Sequence, residues 1–148
     1  MSTVSTENTV STAERQARQS QQARQTRRTR ETVRAYHEAR LRGDVAGAAA
    51  QTGEPFAFRS PLITSSSPTG HLAGLDGFLG LVTGVELLSE LYRPEEATLV
   101  YDVHTASPVG TQRTAEHFRL RDGRIASIAL IFDAAPWGPL MAAAVPPA

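Results

Sequence analysis

The sequence predicts an α+β domain in which a long curved antiparallel sheet wraps around an N-terminal helix and leaves a cavity. Helical periodicity is confined to the first 82 residues, whereas the last third alternates between strand and turn sequence. The order helix, helix, strand, helix and then a run of consecutive strands is typical of α+β domains. A cavity enclosed by such a sheet holds one small molecule.

Composition limits the chemistry that the chain can perform. The chain has 148 residues and no net charge, because 15 arginines balance 15 acidic residues. The length suits one domain of about 100–150 residues. With no cysteine and no lysine, the chain has no disulfide scaffold, thiol nucleophile or lysine Schiff base. It also lacks a glycine-rich phosphate loop, a GxSxG motif and zinc-ligand spacing, so we expect neither a cofactor nor a metal site.

The zero net charge hides a basic N-terminal segment joined to an acidic body. Residues 1–42 carry nine arginines and four acids, and residues 43–148 carry six arginines and eleven acids. Because residues 1–25 have almost no large apolar side chain, we predict a disordered or frayed basic leader there and a single domain over 26–148. Without interleaved aromatic residues, the leader is not expected to bind nucleic acid. With no apolar signal core or membrane span, we expect a cytoplasmic protein with no membrane partner.

The first two helices follow from apolar spacing and from their capping residues. The first helix is predicted over 27–42 and ends at Gly43. Asp44 then caps a short helix over 45–52, which ends at Gly53. The positions that share one face of the first helix are Val33, Tyr36, His37, Arg40 and Leu41.

The next elements are one strand, one loop and one helix. Alternation predicts a strand over 56–60, and Ser, Pro and Gly predict a loop over 61–72. A helical stripe predicts a third helix over 75–82, with Gly84 after its end.

The last third is predicted to be an antiparallel meander. A tail over 134–148, with four prolines and Trp137, is predicted to pack as an arm or a short helix. Asp122-Gly123 predicts a tight hairpin between the last two strands. The four predicted strands cover residues 85–93, 97–105, 111–121 and 124–133.

Polar residues embedded in these apolar strands are the candidates for chemistry. An unpartnered carboxylate is costly to bury, and apolar surroundings suit an acid to proton transfer near neutral pH. Asp102 and His104 share one strand face, Glu116 lies on the apolar face of the next strand, and Asp133 ends the last strand. With Tyr36 of the first helix, they form the predicted catalytic set. Each has a structural alternative: a backbone hydrogen bond for Asp102, core packing for His104 and Tyr36, a pair with Arg113 for Glu116, and a cap for Asp133.

Six short motifs, in this order and spacing, resemble one known family. They are Val33-Arg34-Ala35-Tyr36, Arg42-Gly43-Asp44, Phe56-Ala57-Phe58-Arg59-Ser60-Pro61-Leu62, Tyr101-Asp102-Val103, Glu116-His117-Phe118-Arg119-Leu120-Arg121-Asp122-Gly123-Arg124-Ile125 and Ile131-Phe132-Asp133. From about Thr32 to Trp137 the chain resembles the nuclear transport factor 2-like superfamily, and more narrowly the SnoaL-like polyketide cyclases.

The resemblance implies a fold and a function. The fold is a cone, a strongly curved antiparallel sheet around a pocket closed by helices, with a homodimer contact through the outer face of the sheet. The function is a cofactor-free, ring-forming cyclase of bacterial polyketide or natural-product biosynthesis, with aldol-type or pericyclic ring closure of a hydrophobic substrate. The candidate substrate-binding residues are Phe58, Ser60, Phe78, Phe118, Ile128, Phe132 and Trp137.

Enzymes of the same superfamily suggest specific roles. Similarity to ketosteroid isomerases matches Tyr36 and implies that a protonated Glu116 beside it donates hydrogen bonds to a carbonyl oxygen. Similarity to ketosteroid isomerases also implies that Phe132 points into the pocket. Similarity to limonene-type epoxide hydrolases implies instead that Asp133 points inward. We expect Asp133 to border the pocket mouth. The alternatives are an epoxide hydrolase or epoxide-opening cyclase using Asp102 and Asp133, and a non-catalytic small-ligand binding protein.

Overall fold

One long helix, α1 (Thr3–Leu41), begins the part of the chain that the computed structural model describes, residues 3–144. The helix ends where the sequence predicts, because Gly43 adopts a left-handed φ of +78°. The Gly43 N–H donates to the Arg40 carbonyl at 3.1 Å and the Asp44 N–H to the Ala39 carbonyl at 2.9 Å. These two bonds form a Schellman motif, which satisfies the last carbonyls of the helix.

The N-terminal half of α1 runs through the predicted basic leader. The side chains of residues 11–25 are all exposed, and from residue 11 onward the first buried side chain is that of Thr29. The Thr29 hydroxyl accepts a hydrogen bond from the Glu95 N–H at 3.1 Å, which ties the helix to the sheet. The division between a separable leader at 1–25 and a domain from residue 26 stays a prediction.

The second helix is shorter than predicted. Helix α2 (Val45–Ala49) is capped by Asp44, whose carboxylate accepts a hydrogen bond from the Gly47 N–H at 2.8 Å. The chain leaves the helix early because strand β1 (Thr52–Arg59) begins at Thr52, which pairs with the last strand of the sheet. The prediction that the helix extends to residue 52 is therefore wrong at its C-terminal end.

The predicted loop contains short elements. Strand β2 (Thr64–Ser65) pairs with the end of β1, and a 3₁₀ turn covers Gly70–Leu72. Helix α3 (Leu75–Leu81) ends three residues before Gly84, because the next strand has already begun at Val82.

The remaining strands form the predicted meander. Their bounds are β3 (Val82–Arg93), β4 (Glu96–Thr105), β5 (Thr111–Arg121) and β6 (Arg124–Ile131). The six strands of the described chain form one sheet in the order β2-β1-β6-β5-β4-β3. All neighbours are antiparallel except β1 and β6, which are parallel.

Register shifts curve the sheet around the C-terminal half of α1. They occur in β3 between Leu87 and Ser89 and in the β5–β6 pair next to Leu120, and such bulges bend a strand and increase its twist. The helix packs on the concave face, where Val33 and Tyr36 are fully buried. The cone-shaped α+β fold predicted from the sequence is confirmed.

The C-terminal segment is a short helix, α4 (Trp137–Ala144), one of the two forms predicted for the tail. Strand β6 ends at Ile131, two residues before the predicted end at residue 133. Residues 145–148 of the predicted tail lie outside the described residues.

The hairpin between β5 and β6 generates a stability prediction. Asp122 and Gly123 have φ values of +52° and +76°, and a Cβ on Gly123 would lie 3.0 Å from Cδ of Arg28. We expect Gly123→Ala to lower the free energy of unfolding by about 1–2 kcal/mol. Gly80→Ala is the control, since a Cβ there meets nothing within 4 Å, and it should be neutral or stabilising. Urea unfolding measures both, and a stabilised Gly123→Ala variant would contradict the turn geometry.

Candidate functional site

A cavity of about 490 Å³ lies between the concave face of the sheet, the segment 60–74 and helix α4. Its volume falls within the range of about 300–1,000 Å³ that is typical of small-molecule sites. Five predicted substrate-binding residues line it: Phe58, Ser60, Phe78, Phe132 and Trp137. The two others, Phe118 and Ile128, are buried in the core and do not line the cavity.

A buried polar network lies at the inner wall of the cavity. Nη1 of Arg40 donates to Oε1 of Glu116 at 2.8 Å and to the Tyr101 hydroxyl at 3.1 Å. The Tyr101 hydroxyl donates to the same Glu116 oxygen. The side chain of Arg40 is 15% exposed and that of Glu116 only 1%, so this is an ion pair largely removed from water.

The network fixes the charges of Tyr101 and Arg40. Burial, followed by the negative charge of Glu116, raises the pKa of Tyr101 well above its usual value, so the phenol stays protonated. Burial opposes the charge on Arg40, but Tyr101 and Glu116 outweigh it and raise its pKa, so the guanidinium stays positive. Glu116 accepts hydrogen bonds from Arg40 and Tyr101 through the same oxygen, so the predicted hydrogen-bond donor beside Tyr36 and the predicted pair with Arg113 are not found.

A second polar pair joins α1 to the 3₁₀ turn. The Tyr36 hydroxyl lies 2.8 Å from Nε2 of His71, and Nδ1 of His71 lies 3.4 Å from the Ser67 carbonyl oxygen. Because a carbonyl only accepts, this arrangement assigns the ring hydrogen to Nδ1, so that Nε2 accepts from Tyr36. Burial lowers the pKa of His71 below its usual 6.5, which keeps the ring neutral at pH 7.

Tyr36 and His71 differ in their access to the cavity. Tyr36 is fully buried and does not line it, whereas His71 lines it and stacks on Phe58 with ring centroids 4.5 Å apart. Burial, followed by the charge of Glu116, raises the pKa of Tyr36, so its hydroxyl is a donor at neutral pH. Tyr36 therefore acts on the cavity only through His71.

Two predicted catalytic residues, Asp102 and His104, lie on the outer face of the sheet. Asp102 accepts hydrogen bonds from Nε and Nη2 of Arg113 at 2.9 and 3.0 Å, and Nδ1 of His104 lies 2.8 Å from the Thr111 hydroxyl. The Arg113 guanidinium lowers the pKa of Asp102. The structure therefore does not bring Asp102 and His104 together with Glu116.

Strand alternation explains this placement. Leu99, Tyr101 and Val103 are buried on the concave face, so Asp102 and His104, which lie between and after them, point outward. Glu116 faces inward because it pairs with Leu99 in the β4–β5 register. The prediction that Glu116 lies on the apolar face of β5 is therefore correct, since Phe118 and Leu120 are buried on the same face.

Asp133 lies beside the cavity without lining it. It is exposed, its carboxylate accepts a hydrogen bond from the Ala135 N–H at 3.1 Å, and its carbonyl accepts one from Gln112 at 2.8 Å. Gln112 in turn accepts from Nε1 of Trp137 at 2.8 Å, which holds α4 against the cavity. Of the two competing orientations, the structure has Phe132 inward.

Three residues of the site were not among the predicted catalytic or binding residues. Arg40 carried a signal, since it belongs to the helical stripe that contains Val33 and Tyr36. Tyr101 carried one too, as the central residue of the more apolar face of β4. His71 carried none, because it lies in a Ser- and Gly-rich segment without periodicity.

The outer face of the sheet is where the predicted homodimer contact would form. Two large apolar side chains there, Leu91 and Ile131, are 66% and 59% exposed. A depression of about 490 Å³ lies between Pro94 and Arg119 on this side. The homodimer stays a prediction.

Comparisons with solved structures identify the fold. A protein from Kribbella flavida is 28% identical over 77% of this chain and 93% of its own, with a TM-score of 0.67. An NTF2-like protein from Cytophaga hutchinsonii is 18% identical over 73% of this chain and 92% of its own, with a TM-score of 0.57. A protein from Sinorhizobium meliloti, provisionally assigned as a polyketide cyclase, is 16% identical over 68% of this chain and 93% of its own, with a TM-score of 0.59.

The chain has the nuclear transport factor 2-like fold, so the fold implied by the resemblance is confirmed. Membership of the SnoaL-like polyketide cyclases stays a prediction. No protein-family model and no curated protein matches the sequence. The fold does not select a reaction, because other matching structures are provisionally assigned as a hydroxylase and as a ketosteroid isomerase.

Two further findings concern the described residues only. Between residues 3 and 144, no helix is both long enough and apolar enough to cross a membrane. The same residues contain no group of three or more His, Asp or Glu side chains arranged to hold a metal ion.

The two carboxylates on opposite faces should differ in their effect on stability. Glu116→Ala leaves the Arg40 charge buried without its partner, and we expect a loss of about 3–5 kcal/mol in the free energy of unfolding. Asp102→Ala frees an Arg113 side chain that is already 71% exposed, so the loss should stay within about 1 kcal/mol. Urea unfolding with matched m-values measures both, and equal losses would contradict the placement.

Proposed function

We propose that this protein is a ring-forming cyclase of bacterial natural-product biosynthesis, acting on a largely apolar, polyketide-like substrate without a cofactor. The observation that carries the proposal is an apolar cavity of about 490 Å³ with Arg40 and Tyr101 at its inner wall and His71 at another part of its lining. The fold is also that of the Sinorhizobium meliloti protein provisionally assigned as a polyketide cyclase.

Aldol-type ring closure needs two kinds of group, and the cavity has both. A base removes a proton from the carbon next to one carbonyl, and the resulting enolate carbon forms a bond to the carbon of a second carbonyl. The electron pair of that carbonyl moves to its oxygen, which then takes a proton. A free N–H group of Arg40 would stabilise the developing negative oxygen in surroundings of low dielectric.

His71 is the side chain in the cavity that fits the role of base. Its pKa is lowered by burial, so the ring is neutral at pH 7, and Nε2 is the nitrogen without a hydrogen. A substrate that displaces the Tyr36 hydroxyl from Nε2 would meet this base directly. The proton taken from carbon would then return to the new oxygen, so that the enzyme ends the cycle unchanged.

The shape of the cavity would also lower the barrier to ring closure. Phe58, Phe78, Phe132 and Trp137 line the cavity and would hold a flexible chain in a folded conformation. Proximity of this kind lowers a barrier by several kcal/mol, and for a pericyclic ring closure it would be the main contribution.

The two alternatives differ in their support. Nothing in the site favours the epoxide alternative, because neither Asp102 nor Asp133 lines the cavity. One observation favours a non-catalytic ligand-binding protein: Glu116, the buried acid beside the cavity, already accepts hydrogen bonds from both Arg40 and Tyr101. A carboxylate so engaged is poorly placed to take a proton from a substrate.

A cyclisation assay tests the proposal. Purified protein is incubated with linear poly-β-carbonyl compounds, and ring-containing products are detected by liquid chromatography with mass spectrometry. We expect Arg40→Gln and His71→Asn to lower turnover by about 10²-fold or more, since each removes a group that stabilises or moves charge. Asp102→Asn, on the outer face, is the matched control and should stay within about twofold.

Other outcomes of the assay separate the alternatives. Small losses at Arg40 and His71 with large losses for Phe132→Ala would assign catalysis to shape. Trp137 is the only tryptophan of the chain, so its fluorescence reports ligand binding at the cavity. A fluorescence change without product from any tested compound would favour the binding protein.

The acid side of the pH profile gives a further prediction. Because only neutral His71 acts as a base and its pKa lies below 6.5, activity should be complete at pH 7 and fall as the pH drops through a value below 6.5. His71→Asn should lack this limb. His37→Asn is the control: burial lowers the pKa of His37 as well, but His37 does not line the cavity, so the limb should persist. A midpoint above 6.5 would contradict the assignment.

A further inference from the structure

We propose that the natural ligand carries a carboxylate group and that Arg40 binds this group inside the cavity. The inference rests on the proposed function, since it names the substrate class of the same site. It starts from the hydrogen bonds that the Arg40 guanidinium makes and from those that it leaves unmade.

Only one end of the guanidinium is engaged by the protein. Both hydrogen bonds of Arg40, to Glu116 and to the Tyr101 hydroxyl, come from Nη1. Among the described residues, Nε and Nη2 of Arg40 have no acceptor, although the side chain is only 15% exposed. Neither nitrogen is among the fully buried unpartnered atoms of the described residues, so both are accessible, and an acceptor belonging to a ligand would add charge-assisted hydrogen bonds that the protein does not make.

The free edge has the geometry that a carboxylate requires. Nε and Nη2 point two N–H groups in parallel, and this edge binds the two oxygens of a carboxylate simultaneously. The same protein shows the arrangement on its outer face, where Nε and Nη2 of Arg113 bind the two oxygens of Asp102 at 2.9 and 3.0 Å. Arg40 lines the cavity and has this edge free, so a ligand carboxylate would take the place of the aspartate. It would use the N–H of Nε and one N–H of Nη2, and the second N–H of Nη2 would remain for the developing oxygen of the proposed cyclisation.

The rest of the lining makes the interaction selective. Among the described residues, Arg40 is the only charged side chain that lines the cavity. The lining is otherwise mainly apolar, which suits a hydrophobic body with one acidic end. Thr114 lies opposite Tyr101 in the β4–β5 register and also lines the cavity, so its hydroxyl is a further donor near the same wall.

Glu116 sets the strength of the interaction. Its negative charge lies 2.8 Å from Nη1 of Arg40 and partly cancels the attraction that a ligand carboxylate would feel. Glu116→Gln should therefore strengthen carboxylate binding while keeping an acceptor for Arg40 and Tyr101. A residue with a merely structural role would weaken binding when it is replaced.

A matched pair of probes tests the proposal through binding alone. 4-Cyclohexylbutanoate and its neutral amide, 4-cyclohexylbutanamide, have almost the same shape and are titrated against the full chain by following Trp137 fluorescence, with calorimetry as a second measurement. We expect the carboxylate to bind the native protein at least tenfold more tightly than the amide, the usual size of a charge-assisted pair.

Three variants assign the effect to Arg40. Arg40→Gln should weaken carboxylate binding about 10- to 100-fold and change amide binding less than threefold, whereas Glu116→Gln should strengthen carboxylate binding several-fold. Arg42→Gln is the control: its side chain is 60% exposed and pairs with Asp44, and both affinities should stay unchanged. If Arg40→Gln does not fold, the double variant Arg40→Gln/Glu116→Gln removes both buried charges and should show the same loss of preference.

The outcomes separate this inference from the proposed function. Equal affinity for the carboxylate and the amide in the native protein, or an equal loss of both on replacing Arg40, would overturn the carboxylate site. Carboxylate preference without cyclisation would leave the site in place and overturn the cyclase. Cyclisation of neutral compounds with no carboxylate preference would leave the cyclase in place and overturn the carboxylate site.

Discussion

The buried contact of Arg40 with Glu116 and Tyr101 joins the long helix to the two strands β4 and β5 and marks where the cavity begins. Helix α1 fills the concave face of the sheet as far as its last turn, and Arg40 lies in that turn. Taking two charges out of water costs several kcal/mol for each ion, so the short Arg40–Glu116 distance and the Tyr101 hydroxyl are needed to offset it. A rotation of the helix would break both hydrogen bonds of Arg40 and leave Glu116 with the Tyr101 hydroxyl as its remaining donor.

The face of β4 that is buried decides which carboxylate lies beside the cavity. Because side chains alternate along a strand, burying Leu99, Tyr101 and Val103 points Asp102 outward, and the register then points Glu116 inward. The two carboxylates consequently pair with different arginines, one on each face. Solvent reaches the arginine of the outer pair, whose side chain is 71% exposed, and weakens that contact, whereas low dielectric strengthens the inner pair, so two chemically similar contacts differ in their importance.

Much of the fold could be predicted from the sequence, and less of the site. Gly43 and Asp122-Gly123 are local signals, because a left-handed φ is required at those positions whatever surrounds them. The parallel pairing of β1 with β6 and the early start of β1 depend on contacts between distant residues, which periodicity does not contain. The face of Asp102 could have been assigned correctly, since its neighbours Leu99 and Tyr101 form the more apolar set. The approach of His71 to Tyr36 depends on how an aperiodic segment folds over the cavity.

Stability alone does not account for an arginine in this position. A buried ion pair is often matched or exceeded in stability by apolar residues of similar volume, so a wall made only of leucine and phenylalanine would fold as well. Such a wall would offer no donor to a polar ligand, whereas Arg40 lines the cavity and has Nε and Nη2 free of protein acceptors among the described residues. Glu116 and Tyr101 hold that guanidinium at one end and leave the other end free, which orders it before a ligand arrives and reduces the entropy that binding must lose. The network is therefore best understood as a preorganised receptor for a ligand oxygen. The free energy lost by taking Arg40 and Glu116 out of water is then the cost of recognising that ligand.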